Sequence, residues 1–108
     1  MAYALEAMNG PLDGKRWELA PAVVIGRDAS VAQAIIATDS AVSRRHAQVS
    51  LEHGVLTIAD LGSRNGTLVD GVPIAQPVAL MRGQTFVVGR TMLGVIDAGR
   101  DDGAAEDL

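Results

Sequence analysis

Short apolar stretches separated by glycine, proline or acidic residues run the length of the chain: AYALEAM, KRWEL, AVVIG, AIIA, AQVSLE, VLTIAD, TLVDGVPI, PVAL, QTFVVG and TMLGVI. None has the length of a typical helix, and several alternate with the period of two that marks a half-buried strand. Val55, Thr57 and Ala59 stand against Leu56, Ile58 and Leu61, and Thr85, Val87 and Gly89 stand against Phe86 and Val88. Successive side chains of a strand point to opposite faces, so each of these segments offers one face to a core. Turn signals fall at Asn9-Gly10-Pro11, Asp13-Gly14, Glu52-His53-Gly54, Asn65-Gly66, Asp70-Gly71 and Arg82-Gly83, many at the spacing of about 8 to 12 residues typical of sandwiches and barrels. The pattern predicts an all-β chain of about ten or eleven short strands packed as two sheets.

Two segments break the rhythm. Within GRDASVAQAIIATDSAVSRRHA, residues 26–47, the run VAQAIIA is short enough to be a helix or a strand. Its two β-branched isoleucines favour a loop followed by a short strand. From Asp97 the chain reads DAGRDDGAAEDL, which has almost nothing apolar to bury and predicts a solvated tail. The expected organisation is a folded body over residues 1–96 and an acidic, flexible tail over 97–108.

Composition narrows the chemistry. At 108 residues, 48% of them hydrophobic, the chain has the size of one domain. There is no cysteine, which removes disulfides, thiolate metal sites and cysteine nucleophiles, and His46 and His53 are too few for a protein-only zinc cage. Neither a metal nor a cofactor is expected. No run approaches the ~18 to 20 apolar residues of a membrane span, and the start MAYALEAMNG lacks the basic, then apolar, pattern of a secretion signal. A cytoplasmic protein without membrane insertion is the expectation, and one lysine against eight arginines in an alanine- and glycine-rich chain suggests a GC-rich bacterial source.

The formal net charge of −4 resides in the tail, where Arg100 faces Asp97, Asp101, Asp102, Glu106 and Asp107; the body balances its basic and acidic side chains. A neutral body lacks the broad cationic field of a duplex binder, so nucleic acid is not an expected partner. Any anion site must be local. Polar residues too elaborate for turns alone cluster at Gly26-Arg27, at Ser43-Arg44-Arg45-His46 and at Ser63-Arg64-Asn65-Gly66-Thr67, concentrating four of the body's arginines. Loops at one end of a sandwich converge on a rigid frame. Guanidinium forks such as Arg27 and Arg44, a hydroxyl such as Ser43 and an amide such as Asn65 are the donors a phosphate needs.

The segments VVIGR (23–27), VSRRHAQV (42–49), DLGSRNGTLVDG (60–71) and LMRGQTFVVGR (80–90) closely resemble the forkhead-associated (FHA) domain in order and spacing, from about Tyr3 to Ile96. The resemblance implies an eleven-stranded β-sandwich with its ligand loops at one end, binding phosphothreonine peptides and catalysing nothing. It implies that Arg27 grips the phosphate, Ser43 hydrogen-bonds it, and Asn65 holds the peptide backbone beside it. His46, with Gly26 and Gly66, is structural. Arg44 occupies a variable position from which a basic side chain reaches the phosphate or an acidic ligand residue. Arg64 departs from the small hydroxyl residue that many members carry before the asparagine: it would close over the phosphate, read an acidic side chain, or point to water. The implied partner is a phosphothreonine-containing protein, a Ser/Thr kinase or its substrate, met by a monomer.

Each assignment has a plainer rival. Arg27 as an exposed strand-end residue, Ser43 as a turn cap and Asn65 as the positive-φ residue of an Asn-Gly turn would need no ligand. A hydrolase assembled from Ser43, His46 and a carboxylate such as Asp60 is disfavoured, because the serine lacks a strand-to-helix elbow and no phosphate-binding glycine motif is present. The remaining alternative is a scaffold of the same fold that binds or oligomerises without phosphate.

Overall fold

In a computed structural model of the chain, residues 3–19 and 21–98 are described. The alternating segments form eleven strands: β1 (Tyr3–Ala7), β2 (Arg16–Leu19), β3 (Ala22–Gly26), β4 (Ala34–Ile35), β5 (Ala47–Glu52), β6 (Val55–Asp60), β7 (Thr67–Val69), β8 (Val72–Pro73), β9 (Val78–Leu80), β10 (Thr85–Val88) and β11 (Thr91–Asp97). They make a six-stranded sheet in the order β2-β1-β11-β10-β7-β8 and a five-stranded sheet in the order β4-β3-β5-β6-β9. All pairings are antiparallel except β3 with β4. The rhythm-breaking segment is indeed a loop followed by a two-residue strand at Ala34–Ile35. β11 runs one residue past the expected body boundary, because Asp97 still pairs with Tyr3 across the ladder. The rest of the expected tail, from residue 99, lies outside the described residues.

The core lies between the sheets and is aliphatic, as the scarcity of aromatics requires. Phe86, Leu5, Ile25, Ile36, Ile58, Leu93, Val49 and Val88 are fully buried, while Tyr3 and Trp17 pack at its margin. Each such side chain gains about 1.5 to 3 kcal/mol by leaving water. Alternation is preserved in the chain: Leu56 and Ile58 of β6 are buried, whereas Val55 is exposed. Two hairpins close on residue pairs with positive φ, His53-Gly54 (53° and 78°) and Asp70-Gly71 (54° and 79°), the backbone a tight primed turn demands. Pro73, which has no N–H for a ladder, sits on the edge strand β8, where its missing donor costs little.

This topology decides where function can sit. The C-terminal end of β3, the N-terminal end of β5, the C-terminal end of β6 and the start of β7 lie at one end of the sandwich, and the segments 27–33, 39–46 and 61–66 project from it.

Candidate functional site

The site begins where β3 ends. Gly26 admits no side chain, because a Cβ there would run into the carbonyl of Arg44. That close approach lets the 42–46 segment zip against the strand end, with Arg27 N–H donating to Ser43 O at 3.0 Å and His46 N–H donating to Ile25 O at 2.8 Å. The Arg27 side chain then turns back and donates its Nε–H to Val42 O at 2.9 Å. One bond fixes the guanidinium and leaves its outer nitrogens facing the cleft.

His46 is fully buried and bridges two loops. Its Nδ1 accepts the N–H of Ser43 at 3.0 Å, and its Nε2 lies 2.8 Å from Gly66 O. A backbone N–H only donates and a carbonyl only accepts, so the ring carries its proton on Nε2. Two further bonds tie the same loops: Arg64 N–H donates to Ser43 Oγ at 2.9 Å, and Asn65 Nδ2 donates to Ala41 O at 2.8 Å. Ser43 Oγ thereby accepts from the protein and keeps its own hydrogen to donate, and Asn65 keeps its Oδ1. Asn65 is not the positive-φ residue of its turn. Gly66 takes that role at φ 83°, so the plainer rival for Asn65 fails.

The 60–67 loop has an organiser that sequence reading overlooked. Asp60 accepts from Gly62 N–H and Ser63 N–H at 3.0 Å each, from Ser63 Oγ at 2.5 Å and from Thr67 Oγ1 at 2.7 Å. Burial raises its pKa, but these donors together outweigh burial and hold the carboxyl below its ordinary value. Asp39 does the same for the other loop. It accepts from Ala41 N–H at 3.0 Å and, across to the β10–β11 turn, from Arg90 N–H at 2.7 Å and Thr91 Oγ1 at 2.8 Å. Its pKa is also raised by burial and pulled below the ordinary value by those donors and the Arg90 charge. The run Asp60-Leu61-Gly62-Ser63 carried a local turn signal for the first. Asp39 has one local partner, Ala41 N–H, and nothing local marks its other two, which lie 51 and 52 residues away.

Together these loops enclose an open cleft of about 410 Å³ lined by Arg27, Ser43, Arg44, Arg45, Arg64 and Asn65. All the expected ligand-contacting residues meet there, and Gly26, His46 and Gly66 lie in its supporting structure. The Arg44, Arg45 and Arg64 guanidiniums make no hydrogen bond or ion pair among the described residues. Asp28 is an acidic neighbour of Arg44 and Arg27. Its carboxyl is held below the ordinary value by Ser30 N–H and Ser30 Oγ, with the Arg44 and Arg27 charges adding to the effect. Ser43, His46 and Asp60 are not arranged as a hydrolytic triad: His46 Nδ1 is occupied by the Ser43 backbone, and Asp60 is bound to Ser63 and Thr67. No group of three or more His, Cys, Asp or Glu side chains suited to a metal occurs among the described residues. No helix among them is long and apolar enough to cross a membrane.

Comparison with known proteins agrees with this geometry. The chain is 35% identical over 104 residues to the glycogen accumulation regulator GarA of Mycobacterium tuberculosis, covering 93% of this chain and 62% of that protein's length. Its fold is similar to the FHA domain of CT664 from Chlamydia trachomatis, with a TM-score of 0.81, 28% identity and coverage of 90% of this chain and 98% of that one. It is similar also to an FHA domain solved in work on phosphothreonine-dependent FHA domain interactions, with a TM-score of 0.79, 31% identity and coverage of 90% and 97%. The family model for the FHA domain matches residues 23–89, the stretch that holds every loop of the cleft, and the chain belongs to the FHA domain family.

Proposed function

We propose that this chain is a non-catalytic module that binds phosphothreonine peptides, recruiting a phosphorylated Ser/Thr kinase or kinase substrate in the cytoplasm as a monomer. The observation that carries the reading is the cleft where Arg27, Ser43 and Asn65 are each fixed by one bond and each keep a second polar group for a ligand. Arg27 supplies the charged fork for the phosphate, and the Ser43 hydroxyl donates to a second phosphate oxygen. Asn65 Oδ1 accepts a peptide N–H, holding the chain beside the modified residue. The Arg44 and Arg64 guanidiniums, without a hydrogen bond or ion pair among the described residues, contact the phosphate or acidic flanking side chains. Because Ser43, Arg64, Asn65 and His46 are already tied together before a ligand arrives, little ordering entropy remains to oppose binding. The phosphothreonine dependence named for a similar solved domain supports the same ligand.

Calorimetric titration with one peptide in phosphothreonine, phosphoserine and unmodified threonine forms tests the reading. Binding confined to the phosphorylated forms, strongest for phosphothreonine, is the expected result. Equal binding of the unmodified peptide would replace it with a phosphate-independent scaffold.

A further inference from the structure

None of Gly89, Arg90 and Thr91, at the turn between β10 and β11, lines the phosphopeptide cleft, yet the turn is bonded to a loop that does. Asp39 Oδ2 accepts Arg90 N–H at 2.7 Å and the Thr91 hydroxyl at 2.8 Å, and Asp39 Oδ1 accepts Ala41 N–H at 3.0 Å. We infer that Thr91 is a positioning residue for the ligand: through Asp39 it places the two carbonyls that aim Arg27 and Asn65, and so sets the affinity for phosphothreonine peptides from outside the cleft. This inference rests on the phosphopeptide reading of the cleft.

The first observation is an unbroken relay of bonds. Asp39 O accepts Val42 N–H at 3.1 Å, which closes residues 39–42 into a turn. Ala41 O then accepts Asn65 Nδ2 at 2.8 Å, and Val42 O accepts Arg27 Nε–H at 2.9 Å. The guanidinium and the amide proposed to hold the ligand are therefore both hung on carbonyls of one turn, each by a single bond. A rotation of that turn moves both at once, and Thr91 holds it by its first residue.

The second observation is that the support behind the turn is itself fixed. Asn9 donates its Nδ2 to Arg90 O at 3.2 Å and accepts Met92 N–H at 2.9 Å, and Met8 N–H donates to Met92 O at 2.8 Å. These bonds tie Thr91 to the six-stranded sheet, whereas Arg27 extends from β3 of the other sheet. The bond between Thr91 and Asp39 thus joins the two sheets at the ligand end. Gly89 shows how closely the pieces meet: a Cβ there would stand 2.8 Å from Val42 Cγ2 and 2.9 Å from Asp39 Oδ2.

The third observation is burial. Asp39 and Thr91 are each only 8% exposed, so water does not readily replace a donor lost from this carboxylate, and a buried charge needs its donors. Removing the Thr91 hydroxyl leaves Asp39 Oδ2 with the Arg90 N–H alone and favours a displaced 39–42 turn. A binding constellation tolerates only about 0.5 Å of misplacement before it loses affinity.

Thr91→Val keeps the shape of the side chain and removes the donor, whereas Thr91→Ser keeps the donor. Each is titrated by fluorescence anisotropy with a labelled phosphothreonine peptide, the tightest binder to the wild type in a random phosphothreonine library. Thr91→Val should bind about three- to tenfold more weakly, and Thr91→Ser within about twofold of wild type. Val23→Ala, which truncates a buried side chain near the start of β3, should lower the melting temperature without changing affinity, so that lost stability and lost positioning are read separately. In nitrogen-15 spectra the Arg27 Nε–H should exchange faster in Thr91→Val and remain as in wild type in Val23→Ala. A measurement on the wild type needs no variant to fold: saturating peptide should slow exchange of the Arg90 N–H, because coupling between the turn and the ligand is reciprocal. Binding by Thr91→Val as tight as wild type, a loss that Thr91→Ser does not restore, or an Arg90 N–H indifferent to the peptide overturns the positioning role alone. Failure of the wild type to bind any phosphothreonine peptide of the library overturns both that role and the reading on which it rests.

Discussion

Arg27 and His46 are both bonded to the Ser43 backbone, yet their substitutions should fail differently. Arg27 contributes a single side-chain bond to the fold, to Val42 O, and is otherwise exposed. Arg27→Ala is therefore expected to leave the melting temperature within a few degrees while removing a charged hydrogen-bonding group worth about 1.5 to 3 kcal/mol to the phosphate, a loss of binding of roughly tenfold or more by calorimetry. His46 is buried and satisfies groups on two loops. His46→Ala leaves a void together with an unpaired Ser43 N–H and Gly66 C=O, a destabilisation of about 2 to 4 kcal/mol by those mechanisms, and the melting temperature should fall clearly. An unchanged melting curve with lost binding would make His46 a ligand contact. At this scale the sequence was informative where the chemistry is local: Gly26, Arg27, Ser43, His46 and Asn65 each announce themselves within a short motif. It was silent on use. Nothing in Ser63-Arg64-Asn65 says that the backbone of Arg64 is bonded to Ser43 Oγ while its side chain stays unpaired.

Among the elements, the strands were legible because alternation and turn chemistry act over a few residues, as in β6 and the His53-Gly54 turn that precedes it. The loops that carry the site were legible only in part: the half-buried Asp60 finds all its partners within seven residues, whereas the buried Asp39 takes two of its three from the β10–β11 turn, which only tertiary packing brings near. Asp60 and Asp39 have folded-state pKa values below the ordinary value near 3.8, their hydrogen bonds prevailing over burial. The folded state binds protons less readily at these positions than the unfolded chain, so their stabilisation is fully present above about pH 4 and is lost as pH falls through the folded values. Thermal melts should therefore be flat in pH near neutrality and decline steeply below about pH 4. Asp60→Asn keeps the shape of the side chain but turns one oxygen into a donor facing other donors. It should lower stability at neutral pH and shallow the acid decline, and an acid slope identical to wild type would show that Asp60 does not carry it. Binding should weaken in the same variant, since Asp60 holds Ser63 and Thr67 on either side of Arg64, Asn65 and Gly66.

Over the whole molecule the two sheets serve as a rigid frame, and the charges that matter are gathered at one end of it. Arg27, Arg44, Arg45 and Arg64 line the cleft, although the chain carries a formal net charge of −4. Attraction for a phosphopeptide is thus short-range, so added salt should weaken binding only modestly, unlike the steep dependence of a protein that displaces many counterions from nucleic acid. The pH dependence is sharper and has an identifiable owner. A phosphothreonine has its second pKa at about 6 and loses half its dianion there, so affinity should be constant above about pH 7 and fall as pH drops through 6. Asp28, beside Arg27 and Arg44, is held ionised through that window by Ser30 and the neighbouring arginines, and its charge does not change as the phosphate gains a proton. Titrations of a phosphothreonine peptide and of the same peptide with glutamate in its place, each from about pH 7.5 to pH 5.5, separate the contributions, because a glutamate with a pKa of about 4.3 stays ionised throughout. The phosphopeptide should lose affinity across the range, and the glutamate peptide should bind weakly and without a pH trend. Parallel losses for both peptides would place the titrating group on the protein and remove the phosphate dianion as the species the arginine cluster recognises.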